Sequence, residues 1–318
     1  MFVKQQLMHI PDGFLSLILS LILWIISLIV IFVALKQYAK EKNNQKLPLM
    51  GVLAAVIFAG QMLNFNVVGG TSGHLLGAAL ATILVGPWEA VLVLTSVVTV
   101  QAVIFQDGGL LALGANIFNM AVIGVAVSYA AYTVLNKVIK KGKWAFGIKG
   151  FIAGWCSIFI AALAAALELA ISGTSPANIA VPAMGSIHAL IGVGEGLITF
   201  AALTFIATTK KEMLEQTEEK SKSIDRSILI GGIGFALLLA VFSPLASAYP
   251  DGLEKVAEDL GFLSKGQGPL YNIIPDYAFP GIQDEKLATI AAGVLGVVLI
   301  TSVALFTYRG KKNSTQKK

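Results

Sequence analysis

The sequence predicts an all-α membrane protein, a polytopic helical bundle of about nine transmembrane helices arranged as seven plus two, with the N-terminus outside and the C-terminus inside. Three observations lead there. Of 318 residues, 56 % are hydrophobic and only 13 % charged, more apolar side chain than one water-soluble core can bury. Nine apolar stretches approach the roughly 17–25 residues of a membrane span. Numbered from an outside N-terminus, they place 19 Lys and Arg in inside loops and four outside, the bias expected of cytoplasmic loops. This composition excludes a disordered chain, a collagen-like repeat, a coiled coil and a soluble enzyme. The net charge of +5 reflects these loops and implies no nucleic-acid partner.

In chain order the apolar stretches cover 14–35, 48–63, 74–85, 88–105, 114–135, 150–171, 182–207, 227–247 and 287–308. The second and third are short, and Gly86-Pro87 breaks the third from the fourth with a tight turn. Residues 1–209 read as a seven-span unit. The charged stretch 210–226, KKEMLEQTEEKSKSIDR, reads as a cytoplasmic linker. Residues 227–318 read as a two-span unit whose polar, proline-containing segment 249–286 forms an extracytoplasmic loop. The single cysteine, Cys156, can form neither an internal disulfide nor a Cys-based zinc site and reads as a small buried hydrophobe.

All three histidines fall at the outer side of this topology: His9 before the first span, His74 at the start of the third, His188 about two turns into the seventh. Any one of them read alone is a packing or capping histidine. Three at one membrane depth form a candidate transition-metal site, because imidazole is the commonest protein ligand for Ni, Co, Cu and Zn. Pro11-Asp12-Gly13 has turn chemistry that would hold the N-terminal segment at the mouth of the bundle. Gly69-Gly70-Thr71-Ser72-Gly73 ahead of His74 can bring backbone close to another element, or can be a helix entry with Thr71 or Ser72 as cap.

On the seventh span Gly185, His188, Gly192, Glu195 and Thr199 fall within roughly an 80° arc. Such a small, polar stripe faces a bundle interior. Glu195 lies about 10 Å deeper than His188, so it reads as a structural carboxylate, as does Glu168. Asn64, Asn66, Ser72, Asn116 and Asn119 could orient ligand histidines by hydrogen bonds, or cap helices. No phosphate-binding glycine loop is present in the chain, and the outer loops carry more acid than base, a field that draws cations.

Four stretches, MHIPDGFLS at 8–16, GGTSGHLLG at 69–77, FQDGGLLALGANIFNMA at 105–121 and HALIGVGEGLIT at 188–199, closely resemble the CbiM/NikM family, the substrate-binding component of energy-coupling-factor transporters for cobalt and nickel. The run Pro250-Asp251-Gly252-Leu253-Glu254 resembles the PDGLE domain of the small accessory subunit, fused here at the C-terminus. The resemblance implies a transported Ni2+ or Co2+ and no catalytic chemistry or resident cofactor. It implies as partners a transmembrane coupling component and cytoplasmic ATP-binding-cassette ATPase subunits. It also implies a ligand set of the Met8 amine, His9 and His74, with His188 a weaker member. Met1 to Leu7 precede Met8, so a free amine there requires translation to start at Met8 or the extension to be removed.

Two other function classes compete. Gly70-Thr71-Ser72-Gly73 matches the motif of an intramembrane serine protease with Ser72 as nucleophile and His188 as base. A passive or proton-coupled cation carrier would use Glu168 and Glu195.

Overall fold

The computed structural model describes residues 8–40, 46–140, 142, 144–209 and 226–315. Residues 1–7, on which a removed extension would fall, and the linker 210–225 lie outside the described residues.

The first helix, α1 (Leu17–Lys40), shows the packing logic of the whole chain. Its inward residues include Ser20, Ser27 and Ala34, while Leu17, Ile18, Ile25, Ile29 and Phe32 point outward and are exposed. A helix that turns its small and polar side chains to its neighbours and its large apolar ones away is built for lipid. Ser27 Oγ donates to the Gly114 carbonyl at 2.8 Å. At that crossing a Cβ on Gly114 would lie 2.6 Å from the Trp24 backbone nitrogen, so only glycine lets the two helices approach so closely.

Then follow α2 (Lys46–Gln61), a short hairpin of β1 (Phe65–Val67) and β2 (Thr71–Gly73), α3 (Ala78–Val85) and α4 (Pro87–Val100), the last continuing as a wider π turn over Gln101–Phe105. α5 runs from Leu113 to Val138 with a second π segment at Phe118–Ile123. α6 (Ala145–Ile171) and α7 (Ala177–Thr209) form the most closely packed helix pair. The C-terminal part adds α8 (Arg226–Phe242), the short α9 (Gly252–Asp259) and α10 (Glu285–Thr315).

Seven of these helices are long and apolar enough to cross a membrane; Lys46–Gln61 is a shorter apolar helix. The chain is therefore a multi-pass helical membrane protein. The third apolar stretch differs from the sequence expectation. Only Ala78–Val85 is helical, about 12 Å of rise against a hydrocarbon core of about 30 Å, and His74 to Gly77 form an extended lead-in. Thr71 and Ser72 belong to a β-strand rather than to a helix cap. The strand pairs antiparallel, with Asn66 opposite Ser72. Gly69 and Gly70, at φ +95° and +74°, supply its left-handed turn.

The α6–α7 interface follows the predicted stripe, since Gly185, His188, Gly192, Glu195 and Thr199 are all buried. Opposite them lie Ala153, Gly154, Ser157, Ile158, Ala161, Ala162 and Ala165 of α6. Cys156 stands off this stripe and is only half-buried, not the buried hydrophobe its surroundings suggest, because the residues facing α7 are those on either side of it. Beneath the hairpin a carboxylate deep in the bundle supports the lead-in: Glu195 accepts hydrogen bonds from the Leu76 N–H at 2.6 Å and the Gly77 N–H at 3.1 Å. Glu168 is matched by Asn119, whose Nδ2 donates to it at 2.8 Å. Both glutamates thus have structural partners of the kind their depth requires.

Candidate metal centre

The N-terminal segment is threaded into the bundle and tied there mainly through backbone groups. Ile10 and Asn116 make a reciprocal pair, Ile10 N–H to Asn116 Oδ1 and Asn116 Nδ2 to the Ile10 carbonyl, each 3.0 Å. The Asp12 carboxylate accepts from Leu110 N–H at 3.1 Å and Ala112 N–H at 2.9 Å, satisfying donors ahead of α5 that have no helical acceptor. A Cβ on Gly109 would fall 1.9 Å from Asp12 Oδ1, so glycine is required for Asp12 to reach them. These bonds fix where residue 9 must lie.

His9 is 3 % exposed, and its ring centroid lies 5.6 Å from that of His74, with the planes at 56°. Two imidazoles from positions 65 residues apart thus stand side by side in a cavity of about 70 Å³. Met8, Asn116, Asn119, Met120, Met184, His188, Asp251 and Leu253 also line it. His9 Nε2 is buried without a hydrogen-bond partner among the described residues. Its Nδ1 lies 3.0 Å from Asp107 Oδ1, close but poorly aligned for a hydrogen bond, so that contact is chiefly electrostatic. Burial alone would raise the Asp107 carboxyl, yet the neighbouring His9 ring and the Tyr277 hydroxyl, donating at 2.7 Å, hold it below its ordinary value.

His74 Nδ1 meets Asp251 Oδ1 at 3.1 Å. Burial pushes this imidazole down, but the Asp251 carboxylate, with Asp107 and Glu195 adding to it, overrides that and the net shift is upward from 6.5. His188 Nδ1 is tied to the Met184 carbonyl at 2.8 Å, and its ring lines the same cavity. Among the described residues there is no group of three or more His, Cys, Asp or Glu side chains arranged to hold a metal ion.

The structure brings Met8, His9, His74, His188, Asn116 and Asn119 to one cavity. Asn64 and Asn66 are not in its lining. The Asn64 carbonyl accepts the Ser247 N–H at 2.8 Å, and Asn66 Oδ1 pairs with the Ser247 hydroxyl. Ser72 is also engaged elsewhere, its Oγ donating to the Tyr249 carbonyl at 2.9 Å, which commits the hydroxyl that a protease would need free. Asp107 and Asp251, the two carboxylates against the imidazoles, had no role assigned from sequence. Each lies inside a motif, but its partner is 98 or 177 residues away in the chain.

The fold and its cavity define the class: a multi-pass helical membrane protein with two imidazoles buried side by side. The chain belongs to the CbiM family, described as the cobalt uptake substrate-specific transmembrane region, whose model matches residues 9–213; the PDGLE domain model matches 226–312. The NikMN chain of Archaeoglobus fulgidus is 36 % identical over 299 residues, covering 93 % of this chain and 96 % of its own. The fused nickel transport protein NikMN of Rhodobacter capsulatus is 29 % identical, with 93 % and 95 % covered. A crystal structure of a transition metal transporter matches with TM-score 0.57 and 32 % identity, over 66 % of this chain and 98 % of its own.

Proposed function

We propose that this protein takes up nickel or cobalt as the substrate-binding component of an ATP-driven energy-coupling-factor transporter, and is not an enzyme. The observation that carries this is the His9–His74 pair in a buried cavity that Met8 also lines, with an unpartnered imidazole nitrogen. Several preorganised nitrogens offset the dehydration of a divalent ion and suit square-planar or tetragonal Ni2+ or Co2+ better than Mg2+ or Ca2+. The ligands are His9, His74 and, in a chain beginning at Met8, its amine; His188 is a weaker contributor. Asn116 and Asn119 fix the surrounding backbone and side chains.

The nine apolar segments form the membrane domain with the N-terminus outside, the shorter 46–61 and 78–85 completing it beside the seven long helices. Residues 1–209 are the metal-binding unit, 210–226 a cytoplasmic linker and 227–318 the two-span PDGLE unit. A transmembrane coupling component and cytoplasmic ATP-binding-cassette subunits supply the energy. Nickel is the favoured cargo, because the relatives matched along almost the whole chain include one named a fused nickel transport protein, while a cobalt-named CbiM chain of Anoxybacillus flavithermus matches 69 % of it.

Competition between Ni2+ and Co2+ for the purified chain tests the assignment; binding of neither would overturn it. The proton competes for the same site. A ligating imidazole must be neutral, and His74 holds its proton above 6.5. Nickel affinity is therefore expected to be full on the alkaline side and to fall with pH, the decline starting above 6.5 rather than at it. Titration calorimetry between about pH 5 and about pH 8 reads this; a flat profile excludes histidine ligation. Uptake by vesicles holding this chain without ATPase subunits would instead favour a passive or proton-coupled carrier.

A further inference from the structure

The PDGLE turn packs on the hairpin and on the cavity beneath it, and each of its first four residues has a distinct contact. The Pro250 carbonyl accepts the Ser72 N–H at 2.8 Å and the Thr71 hydroxyl at 3.0 Å. With the parallel bridge between Ser72 and Asp251, residues 249–251 continue the β1–β2 hairpin as a third, short edge. Asp251, 2 % exposed, is thereby delivered to His74 Nδ1. Gly252 follows against the other imidazole, where a Cβ would lie 2.9 Å from His188 Cε1 and 2.6 Å from Ile191 Cδ1, leaving no room for any side chain. Leu253 closes the apolar wall.

Asp251 also occupies the N-cap position of α9, where aspartate ordinarily accepts a hydrogen bond from the helix's own first turn. Here the side chain makes no such bond and turns to the histidine instead. An ionised carboxylate can only accept, so the ring nitrogen facing it must carry the proton, and the lone pair is left on Nε2. Carboxylate partners of this kind fix both the tautomer and the orientation of a ligating imidazole.

We infer that Asp251 is a positioning residue for the metal site: through His74 Nδ1 it fixes the ring so that Nε2 is presented to the cargo, and the C-terminal unit thereby completes a site whose ligands all lie in the first part of the chain. This rests on the reading that His74 ligates the metal, and the variants separate the two.

The test is titration of Ni2+ into the purified full-length chain and its D251A, D251N, H74A, S247A and H74A/D251A variants, with thermal melting alongside. D251A is expected to bind nickel about 10- to 100-fold more weakly. D251N, nearly isosteric and keeping one acceptor oxygen but not the charge, is expected to lose roughly threefold to tenfold with an unchanged melting temperature. Adding D251A to H74A is expected to cost nothing further, the non-additivity of two residues acting through one contact. S247A, which loosens the docked segment at Asn66 and at the Tyr249 N–H but removes no cavity residue, is expected to lose clearly less than D251A.

Parental affinity in H74A would remove the ligand reading itself. Loss in H74A with parental affinity in D251N and D251A would overturn the role of Asp251. So would a loss from S247A equal to that from D251A, or a full D251A effect in the H74A background, since either marks mere structural support. If D251A fails to fold, D251N decides alone, and unchanged affinity there overturns the inference.

Discussion

Replacing His9 with glutamine is expected to abolish high-affinity nickel binding while leaving the protein folded. Metal sites with four protein ligands are worth about 10–16 kcal/mol in favourable cases, so one imidazole accounts for roughly 3–4 kcal/mol, a loss of about 10²- to 10³-fold. Glutamine is chosen because His9 has a second duty. Its ring is the polar neighbour of the buried Asp107, and a buried carboxylate stripped of its partner destabilises by about 3–5 kcal/mol. The glutamine amide can still donate toward Asp107, and the Tyr277 hydroxyl stays on the other oxygen. Alanine at the same position should lower the melting temperature as well as the affinity, so the pair of variants separates the ligand from the neighbour. Nickel titration with a parallel melt reads both; H9Q binding within about threefold of the parent would take His9 out of the ligand set.

Much of the bundle was legible because membrane spans are written in composition. Each apolar stretch corresponds to a helix, and even the weakness of the second and third announced itself in their length. The stripe on α7 was legible for the related reason that a helix has a fixed period, so Gly185, His188, Gly192, Glu195 and Thr199 had to share a face, and all five are buried. The hairpin was not, because three residues per strand are too few for an alternation to register, and Thr71-Ser72 has the same letters whether it caps a helix or pairs with Asn66.

The carboxylates at the site were hidden for a different reason. Asp107 and Asp251 meet His9 and His74 only after the N-terminal segment has been tied to the loop before α5 and the C-terminal unit has docked on the hairpin. Neither event leaves a local trace. The nearest signals were glycines: Gly109 marks where Asp12 must enter, and Gly252 marks where another element comes within contact of His188. Asn64 and Asn66 illustrate the converse. Their position at a helix end suggested the metal, but the structure turns the Asn66 side chain and the Asn64 backbone carbonyl to Ser247 of the C-terminal unit, which is the same docking seen from the other side.

That docking depends on a hairpin held from beneath, which makes Glu195 the second position where a large effect is expected. α3 begins at Ala78 behind Gly77, which has no side chain to cap it, so the donors ahead of that helix need an acceptor from elsewhere. Glu195, fully buried two helical turns below His188, supplies both oxygens, to Leu76 N–H and Gly77 N–H. Alanine would leave two buried N–H groups unpaired, at about 1–3 kcal/mol each, and open a void where the carboxylate stood. A fall of several degrees in melting temperature is expected. Nickel affinity should fall as well, because His74 is two residues from the released backbone and a misplaced ligand loses most of its worth. Glutamine keeps one acceptor oxygen and should recover part of both losses. A purely electrostatic role for Glu195, as in a proton-coupled carrier, predicts the opposite order: E195Q would fail in transport as completely as E195A while melting like the parent. Melting, nickel titration and uptake measured on the two variants together distinguish a strut under the metal site from a carboxylate that moves protons.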